Sequence, residues 1–258
     1  MDRSIAPPWR SRPVDSQLSE RVLQMGVIAD AINRHTLSLI AEPGHEFSNF
    51  ALAKSKALCV LTTMVGLDVF PQLQFSDVKP MTLEVYAATR EDFEANERGE
   101  PMVLGPLHMG PPLSGVGTGH VGLMVEGAIV DPVAGQATRI SSKTKLLENP
   151  ETPVGILVPD SIVISKAMQP KDIATDCAQI ACNGGETVLQ YRTRPDYHGY
   201  LQSDIWRNPI SIHAKDLIVQ KIMAELSPPQ SQPSQFTRQW QESWSISDVR
   251  ASAGLPSR

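Results

Sequence analysis

The segment from His120 to Asp131 constrains the fold of this chain more than any other. It holds two short apolar runs, His120 to Val125 and Ala128 to Asp131, separated only by Glu126-Gly127. Apolar runs of this length are typical of buried strands, and glycine adopts the positive φ of a tight turn without steric cost. The segment therefore predicts an antiparallel hairpin, and with it a sheet.

The open end of this hairpin carries a histidine and an aspartate. His120 opens the first strand and Asp131 closes the second, so the two side chains are expected to lie side by side. We expect Asp131 to accept the Nδ1 proton of His120, which fixes the imidazole tautomer and leaves Nε2 to take a proton from a nucleophile. An ordinary structural hydrogen bond between the two side chains is the alternative.

Hydrophobic periodicity predicts helices on both sides of the hairpin. The apolar spacing indicates one helix from Asp15 to a stop before Pro43-Gly44, a second from Ser48 to Gly66, and a last one over Ile210 to Leu226. We also predict strands at 69–75, 81–88, 154–158, 161–165 and 187–192, short helices at 91–99 and 173–181, and a Gly/Pro-rich loop at 100–119. This pattern favours an α+β fold with a helical N-terminal part packed on an antiparallel β-sheet.

The two ends of the chain differ in composition from its middle. Residues 1–15 are rich in Pro and Arg and are predicted to be a flexible arm, and residues 227–258 are rich in Pro, Gln and Ser and are predicted to be a flexible tail. Residues 16–226 are expected to form a single α+β domain, with a β-rich extension from about residue 150. A chain of 258 residues with 41% hydrophobic residues can bury a sizeable core, which excludes disorder of the whole chain.

Charge and hydropathy limit the classes of partner. The formal net charge of -5 gives no electrostatic reason to expect nucleic acid or an anionic membrane surface as the partner. Nowhere does the sequence reach the roughly 18 consecutive apolar residues of a membrane span, and its start lacks the apolar region of a signal peptide. We therefore expect a cytoplasmic protein that binds neither nucleic acid nor a membrane, while its oligomeric state stays open.

The cysteines and histidines give little reason to expect a metal. Cys59, Cys177 and Cys182 are too few for a disulfide framework in a chain of this length. The spacing of Cys177 and Cys182 is tolerated by some zinc sites, but no second Cys/His pair stands nearby. Metal-assisted hydrolysis by His108, His120 and Asp131 would need three convergent ligands, and nothing in the spacing requires it. We expect neither a metal nor another cofactor.

The motif His-Val-x-Leu-x-Val-x-Gly-x-Ile-x-Asp-Pro at 120–132, preceded by a helix that stops near Val65-Gly66-Leu67-Asp68-Val69, resembles the papain-like fold in its transglutaminase-like form. The resemblance covers about residues 46–135. It implies a cysteine at the N-terminus of the core helix that attacks an acyl carbon and is activated by His120 and Asp131. The implied activity is that of a thiol hydrolase or acyltransferase acting on an amide or acyl bond of a peptide, a protein or a small acyl substrate.

The position of the nucleophile departs from this pattern. Residues 47–50, where the family has its cysteine, read Phe-Ser-Asn-Phe. Cys59 is the candidate nucleophile, although a helix that begins at Ser48 places it about three turns in. A helix that begins at Ser55 instead would bring Cys59 into its first turns. On a helical wheel, Cys59 falls opposite the apolar face, beside Ser55, Lys56, Thr62 and Thr63.

Two further interpretations stay open. Ser48 is a candidate substitute nucleophile, although a serine at this position is more simply explained as the N-cap of the helix. A non-catalytic binding protein that keeps the fold but has lost the nucleophile is the alternative function. The densest polar and aromatic stretch is either a substrate or partner surface or a set of solvated turn residues: Tyr191, Arg192, Arg194, Asp196, Tyr197, His198, Tyr200 and Trp206.

Overall fold

The computed structural model describes residues 16–42, 44, 46, 57–102, 107–109, 120–136, 156, 158–165, 177–182, 186–195, 201 and 204–227. The predicted arm at 1–15 lies outside these residues, as does the predicted tail except for Ser227. The segment 47–50, with Ser48, also lies outside them.

The described residues form helices and strands in the following chain order. The helices are α1 (Ser16–Ala41), α2 (Ala57–Gln72), α3 (Arg90–Arg98) and α4 (Pro209–Leu226), with a 3-10 helix at Asp204–Arg207 before α4. The strands are β1 (Val78–Thr89), β2 (Leu107–Met109), β3 (His120–Val125), β4 (Ala128–Asp131), β5 (Ile162–Ser165), β6 (Cys177–Cys182) and β7 (Thr187–Thr193). None of the helices in this part of the chain is long and apolar enough to cross a lipid bilayer.

All strand pairs that the structure describes are antiparallel. The strand order is β5-β4-β3-β1-β7-β6, and β2 adds to β1 beyond the stretch that pairs with β3. The terminal strands β5 and β6 contact each other, so the sheet curves until it is nearly closed. The α+β class and the antiparallel sheet predicted from the sequence are confirmed.

Apolar side chains pack on both faces of this curved sheet. Alternate residues of a strand point to opposite faces, so Leu123 and Val130 contact the helices while Met124 and Ile129 point the other way. The helical side is filled by residues of α1, α2 and α4, among them Ile28, Ile32, Leu61, Val65, Ile218 and Ile222. The inner side is filled by strand residues, among them Leu83, Val85, Ile164, Ile180, Leu189 and Tyr191.

The predicted hairpin has the expected boundaries. Glu126 and Gly127 have φ values of 47° and 80°, so both central turn residues occupy the left-handed region, as the twist of a two-residue hairpin requires. The Glu126 carboxylate accepts hydrogen bonds from Arg21 Nη2 at 2.8 Å and from the Ser76 backbone N–H at 3.0 Å. The turn end of the hairpin is thereby tied to α1 and to the segment that precedes β1.

The strand predicted at Val69 to Phe75 is wrong, because α2 continues to Gln72. Gly66 does not stop the helix. A Cβ atom at Gly66 would overlap the Leu123 side chain, so the glycine serves the close approach of α2 to β3. The chain leaves the helix only after this contact, with Gln74 at φ 65°.

The other differences follow from pairing that local pattern does not reveal. The helix predicted at 173–181 is wrong where it is described, because Cys177–Cys182 is strand β6, paired along its length with β7. Strand β2 lies within the predicted loop at 100–119, whose remaining inner residues 103–106 and 110–119 lie outside the description. Of the strand predicted at 154–158, the described residues Ile156 and Val158 are not in a strand.

Candidate functional site

The hairpin brings His120 and Asp131 into direct contact. His120 Nε2 donates a hydrogen bond to Asp131 Oδ2 at 2.9 Å, and the two side chains are 1% and 0% exposed. The expected pairing through Nδ1 is therefore wrong: His120 uses Nε2 for the carboxylate, and its Nδ1 is the ring nitrogen left for another partner.

Asp131 has two further hydrogen-bond donors. The Tyr191 hydroxyl donates to Oδ2 at 2.8 Å, so this oxygen accepts from both Tyr191 and His120. The Val133 backbone N–H donates to the other oxygen, Oδ1, at 3.1 Å. Because both oxygens are engaged, the carboxylate cannot rotate without breaking a hydrogen bond in a buried site.

Tyr191 is the site residue that sequence reasoning missed. It lies on β7 and is fully buried, which corrects its placement among surface or turn residues. Alternation within the predicted strand at 187–192 would have put Leu189 and Tyr191 on one face. The pairing of β7 with β1, which brings Tyr191 toward Asp131, has no local signal in the sequence.

Cys59 lies on α2, whose described residues begin at Ala57. The prediction that Cys59 faces a polar side of the helix is wrong: its side chain is only 3% exposed and packs among Leu58, Val60, Met64, Val121, Val133 and Ile205. Thr62 and Thr63 are also fully buried. Because neighbouring elements surround α2, its polar residues mark no solvent-exposed face.

The side chain of Cys59 forms a hydrogen bond with the His120 ring. Asp131 occupies Nε2, so we assign this bond to Nδ1, the other ring nitrogen. The structure thus brings together all three predicted site residues in the order Cys59, His120, Asp131.

The electrostatics of the site favour a charged imidazole. Burial opposes protonation of His120, but the negative charge of Asp131 and the hydrogen bonds to Asp131 and Cys59 outweigh it and raise the pKa of His120 to about 10. At neutral pH this imidazole is therefore an imidazolium held between a carboxylate and a sulfur.

Two close contacts position α2 against the hairpin. Thr63 Oγ1 lies 2.7 Å from the Cys59 carbonyl oxygen in its own helix and 3.3 Å from the Val121 carbonyl oxygen of β3. This hydroxyl therefore links α2 to the strand that begins with His120. Gly66, one turn further along, allows the helix to touch Leu123. These two contacts between α2 and β3 fix the position of Cys59 relative to His120.

The hairpin itself needs a glycine beside the site. A Cβ atom on Gly122 would lie 2.8 Å from Leu83 Cδ1 and 3.0 Å from the Val130 carbonyl oxygen. Strands β1 and β4, which flank β3, therefore approach more closely than a larger residue would permit. The same Cβ atom would lie 3.9 Å from the Cα atom of Asp131, so Gly122 borders the site directly.

Of the remaining candidates, Trp206 packs against the apolar cluster that contains Cys59, whereas His108 and Arg194 do not join the site within the described residues. His108 lies on β2, opposite Tyr86, and the description does not extend to its side chain. Arg194 pairs with Glu84 at 3.2 Å on β1, and residues 196–200 of the polar and aromatic stretch lie outside the description. No group of three or more His, Cys, Asp and Glu side chains among the described residues is arranged to hold a metal ion.

Comparison of the chain with protein-family models, with curated proteins and with solved structures gives no match.

Proposed function

We propose that the protein is a thiol-dependent hydrolase or acyltransferase of the transglutaminase-like or papain-like kind, acting on an amide or acyl bond. The observation that carries this proposal is the contact series from Cys59 through His120 to Asp131. A thiol beside an imidazole whose orientation a carboxylate fixes is a recognised arrangement for nucleophilic catalysis. Peptides, proteins and small acyl compounds are the proposed substrates.

Acylation begins from an ion pair in which the proton of Cys59 already resides on His120 Nδ1, in keeping with the raised pKa of the imidazole. The resulting thiolate attacks the acyl carbon, a C–S bond forms, and the carbonyl π electrons move onto oxygen to give a tetrahedral oxyanion. When this intermediate collapses, the bond to the leaving group breaks and the leaving group takes the proton from His120. The raised pKa of His120 supports its role as the acid that supplies this proton, because the imidazole is protonated before the leaving group departs.

Deacylation reverses these roles. A water molecule or an amine gives a proton to His120 Nδ1 as it attacks the thioester carbon, and the C–S bond then breaks to release the Cys59 sulfur as an anion. The enzyme is a hydrolase if water is the acceptor and an acyltransferase if an amine is the acceptor. Asp131 keeps its hydrogen bond to Nε2 throughout and stabilises the imidazolium in both half-reactions.

The burial of the site favours a second candidate, a non-catalytic binding protein. Cys59 is 3% exposed and His120 is 1% exposed, and residues 47–50 contain no cysteine. In this alternative the three side chains form a structural polar network beneath the surface, and neither Cys59 nor His120 contributes to the biological activity. Chemical reactivity of the thiol distinguishes the two candidates.

Alkylation of the native full-length protein by iodoacetamide tests the proposal. An ordinary thiol with a pKa of about 8.5 is almost fully protonated at pH 6, so rapid carboxamidomethylation of Cys59 at pH 6, mapped by mass spectrometry, is the expected result. The Cys177→Ser variant should label like the wild type, and the His120→Asn variant should label Cys59 at least about tenfold more slowly. Absence of Cys59 labelling at pH 6 would overturn the proposal and support the binding protein.

An activated ester tests turnover directly. Release of 4-nitrophenol from 4-nitrophenyl acetate should show a burst equal to the enzyme concentration in the wild type and in Cys177→Ser, and none in Cys59→Ser. An ordinary primary amine such as glycine ethyl ester, added with the substrate, separates the two reaction types, because an acyltransferase gives mainly the amide whereas a hydrolase gives mainly acetate. Equal bursts in wild type and Cys59→Ser would rule out Cys59 as the nucleophile.

A further inference from the structure

The hydroxyl of Tyr191 shares an acceptor with the catalytic imidazole. Tyr191 OH and His120 Nε2 lie 2.8 Å and 2.9 Å from the same atom, Asp131 Oδ2. The three side chains come from β7, β3 and β4, which are not all adjacent in the sheet, so the shared oxygen is a meeting point of separate elements. Nothing in the proposed reaction assigns a role to this hydroxyl.

We propose that Tyr191 is a positioning residue that tunes His120 through Asp131: by donating to Oδ2 it weakens the hold of the carboxylate on the imidazolium. Two donors that share one carboxylate oxygen divide its negative charge, so each feels less of it. His120 is then a stronger acid toward the leaving group than it would be beside Asp131 alone. The catalytic consequence rests on the proposed function, but the tuning of His120 does not.

The surroundings of Tyr191 suit it to act as a donor. The ring is fully buried, and burial together with the charge of Asp131 raises the pKa of Tyr191 well above its usual value, so the phenol stays protonated. The titratable groups that act on Tyr191 are Asp131 and Cys182, and those that act on His120 are Asp131 and Cys59. Burial raises the pKa of Cys182 to about 12, so this thiol remains neutral.

The hydrogen bond to the second carboxylate oxygen keeps Asp131 from turning when the Tyr191 hydroxyl is removed. Val133 N–H holds Oδ1 at 3.1 Å, so loss of the Tyr191 hydroxyl leaves Asp131 in place with His120 as the one side-chain donor to Oδ2 among the described contacts. The carboxylate then interacts more strongly with the imidazolium. Removal of the hydroxyl should therefore raise the pKa of His120.

The test compares Tyr191→Phe with Tyr86→Phe in the full-length protein. Tyr86 is the matched control because it lies on the adjacent strand β1 and its hydroxyl donates to Glu84 Oε1 at 3.0 Å, away from the site. The ring ¹⁵N shifts of His120, assigned by comparison with His120→Asn, give its protonation state as a function of pH. We expect Tyr191→Phe to raise the pKa of His120 by about half a unit to one unit, the equivalent of one hydrogen bond, and Tyr86→Phe to leave it unchanged.

A second variant keeps the proposal testable if Tyr191→Phe does not fold. Replacement of Tyr191 by 3-fluorotyrosine makes the phenol a stronger donor and should lower the pKa of His120. An unchanged or lowered pKa in Tyr191→Phe, or an unchanged or raised pKa with 3-fluorotyrosine, would overturn the proposal.

Kinetics separate this proposal from the proposed function. If Cys59 is the nucleophile, Tyr191→Phe should lower kcat for an amide substrate and leave KM unchanged, because the weaker acid protonates the leaving group more slowly. If Cys59 proves unreactive, the proposed function fails while the shift in the His120 pKa remains. If Cys59 is reactive but the His120 pKa does not respond to Tyr191, only the role of Tyr191 fails.

Discussion

Gly66 of α2 faces Leu123 of β3 so closely that a methyl group on the glycine would overlap the leucine side chain. Leu123 is fully buried, and Ile32 Cδ1 of α1 would lie 3.6 Å from the same Cβ atom. The contact joins the helix that carries Cys59 to the strand that carries His120. The absence of one Cβ atom therefore sets the distance between the two elements of the site.

We predict that Gly66→Ala lowers the free energy of unfolding by about 1–3 kcal/mol, the usual cost of overpacking a core. Leu123 is fully buried, so alanine at position 66 forces its side chain to repack within the core or α2 to shift away from β3. Gly26→Ala is the matched control: Gly26 lies within α1 with open space around it, so alanine should stabilise the helix by about 0.5–1 kcal/mol. Chemical denaturation measures both, and equal effects of the two substitutions would contradict the packing role of Gly66.

Asp131→Asn should remove the charge that keeps His120 protonated. Burial disfavours the imidazolium, and Asp131 opposes this effect more strongly than Cys59 does, so without the carboxylate the pKa of His120 falls from about 10. Alkylation of Cys59 by iodoacetamide at pH 7 should slow by at least about tenfold, because the thiolate loses its cationic partner. Asp77→Asn is the control, since Asp77 is 62% exposed and lies outside the site. An unchanged alkylation rate in Asp131→Asn would show that the carboxylate does not govern the thiol.

Asn33 of α1 should contribute to stability through the loop that follows Asp131. Its Nδ2 donates to the Pro132 carbonyl oxygen at 2.6 Å and to the Asp160 carbonyl oxygen at 3.2 Å. Asn33→Ala leaves these acceptors without this donor and should cost about 1–3 kcal/mol. Gln72→Ala, which removes an exposed amide bonded to Asp68 of its own helix, should stay within about 0.5 kcal/mol in the same denaturation experiment. A loss below that limit in Asn33→Ala would contradict this role.

The hairpin turn should make stability sensitive to acid. Hydrogen bonds from Arg21 lower the pKa of Glu126 to about 2, against 4.5 for an ordinary glutamate. Because this pKa is lowered on folding, the stabilisation is complete above about pH 4.5 and is lost as the pH falls toward 2. Glu126→Gln should lower the free energy of unfolding by about 1 kcal/mol at pH 7 and by less at pH 3. The value at pH 7 is small because the ion pair is partly exposed to solvent. Glu20→Gln, on an exposed residue of α1, should show no such change; an equal cost of Glu126→Gln at both pH values would argue against the ion pair.

The hairpin could be predicted from sequence because its determinants are local. Continuous apolar runs define β3 and β4, and Glu126-Gly127 specifies a two-residue turn. The same local information places His120 next to Asp131. It does not specify which ring nitrogen meets the carboxylate, because this depends on the orientation of the imidazole between β4 and α2.

The surroundings of Cys59 could not be predicted because α2 is buried by neighbours on several sides. A helix that is apolar nearly all round has no single core-facing stripe, so a helical wheel cannot tell a solvent-facing position from a contact with another element. Buried Thr62 and Thr63 added to the error, since their polarity is satisfied by carbonyl oxygens of the helix itself. Tyr191 was missed for a related reason: its role depends on sheet order, which links residues far apart in sequence.

The two halves of the site differ in how much chain must be ordered to assemble them. His120 and Asp131 are eleven residues apart and meet when one short hairpin closes, at a small entropic cost. Cys59 arrives from a different element and meets His120 only when α2 docks on β3. A chain in which the sheet has formed but the helix has not docked would therefore carry a paired imidazole without its sulfur. Thiol activation is in this sense a property of the completed tertiary fold, and reactivity of Cys59 can serve as a reporter of native packing.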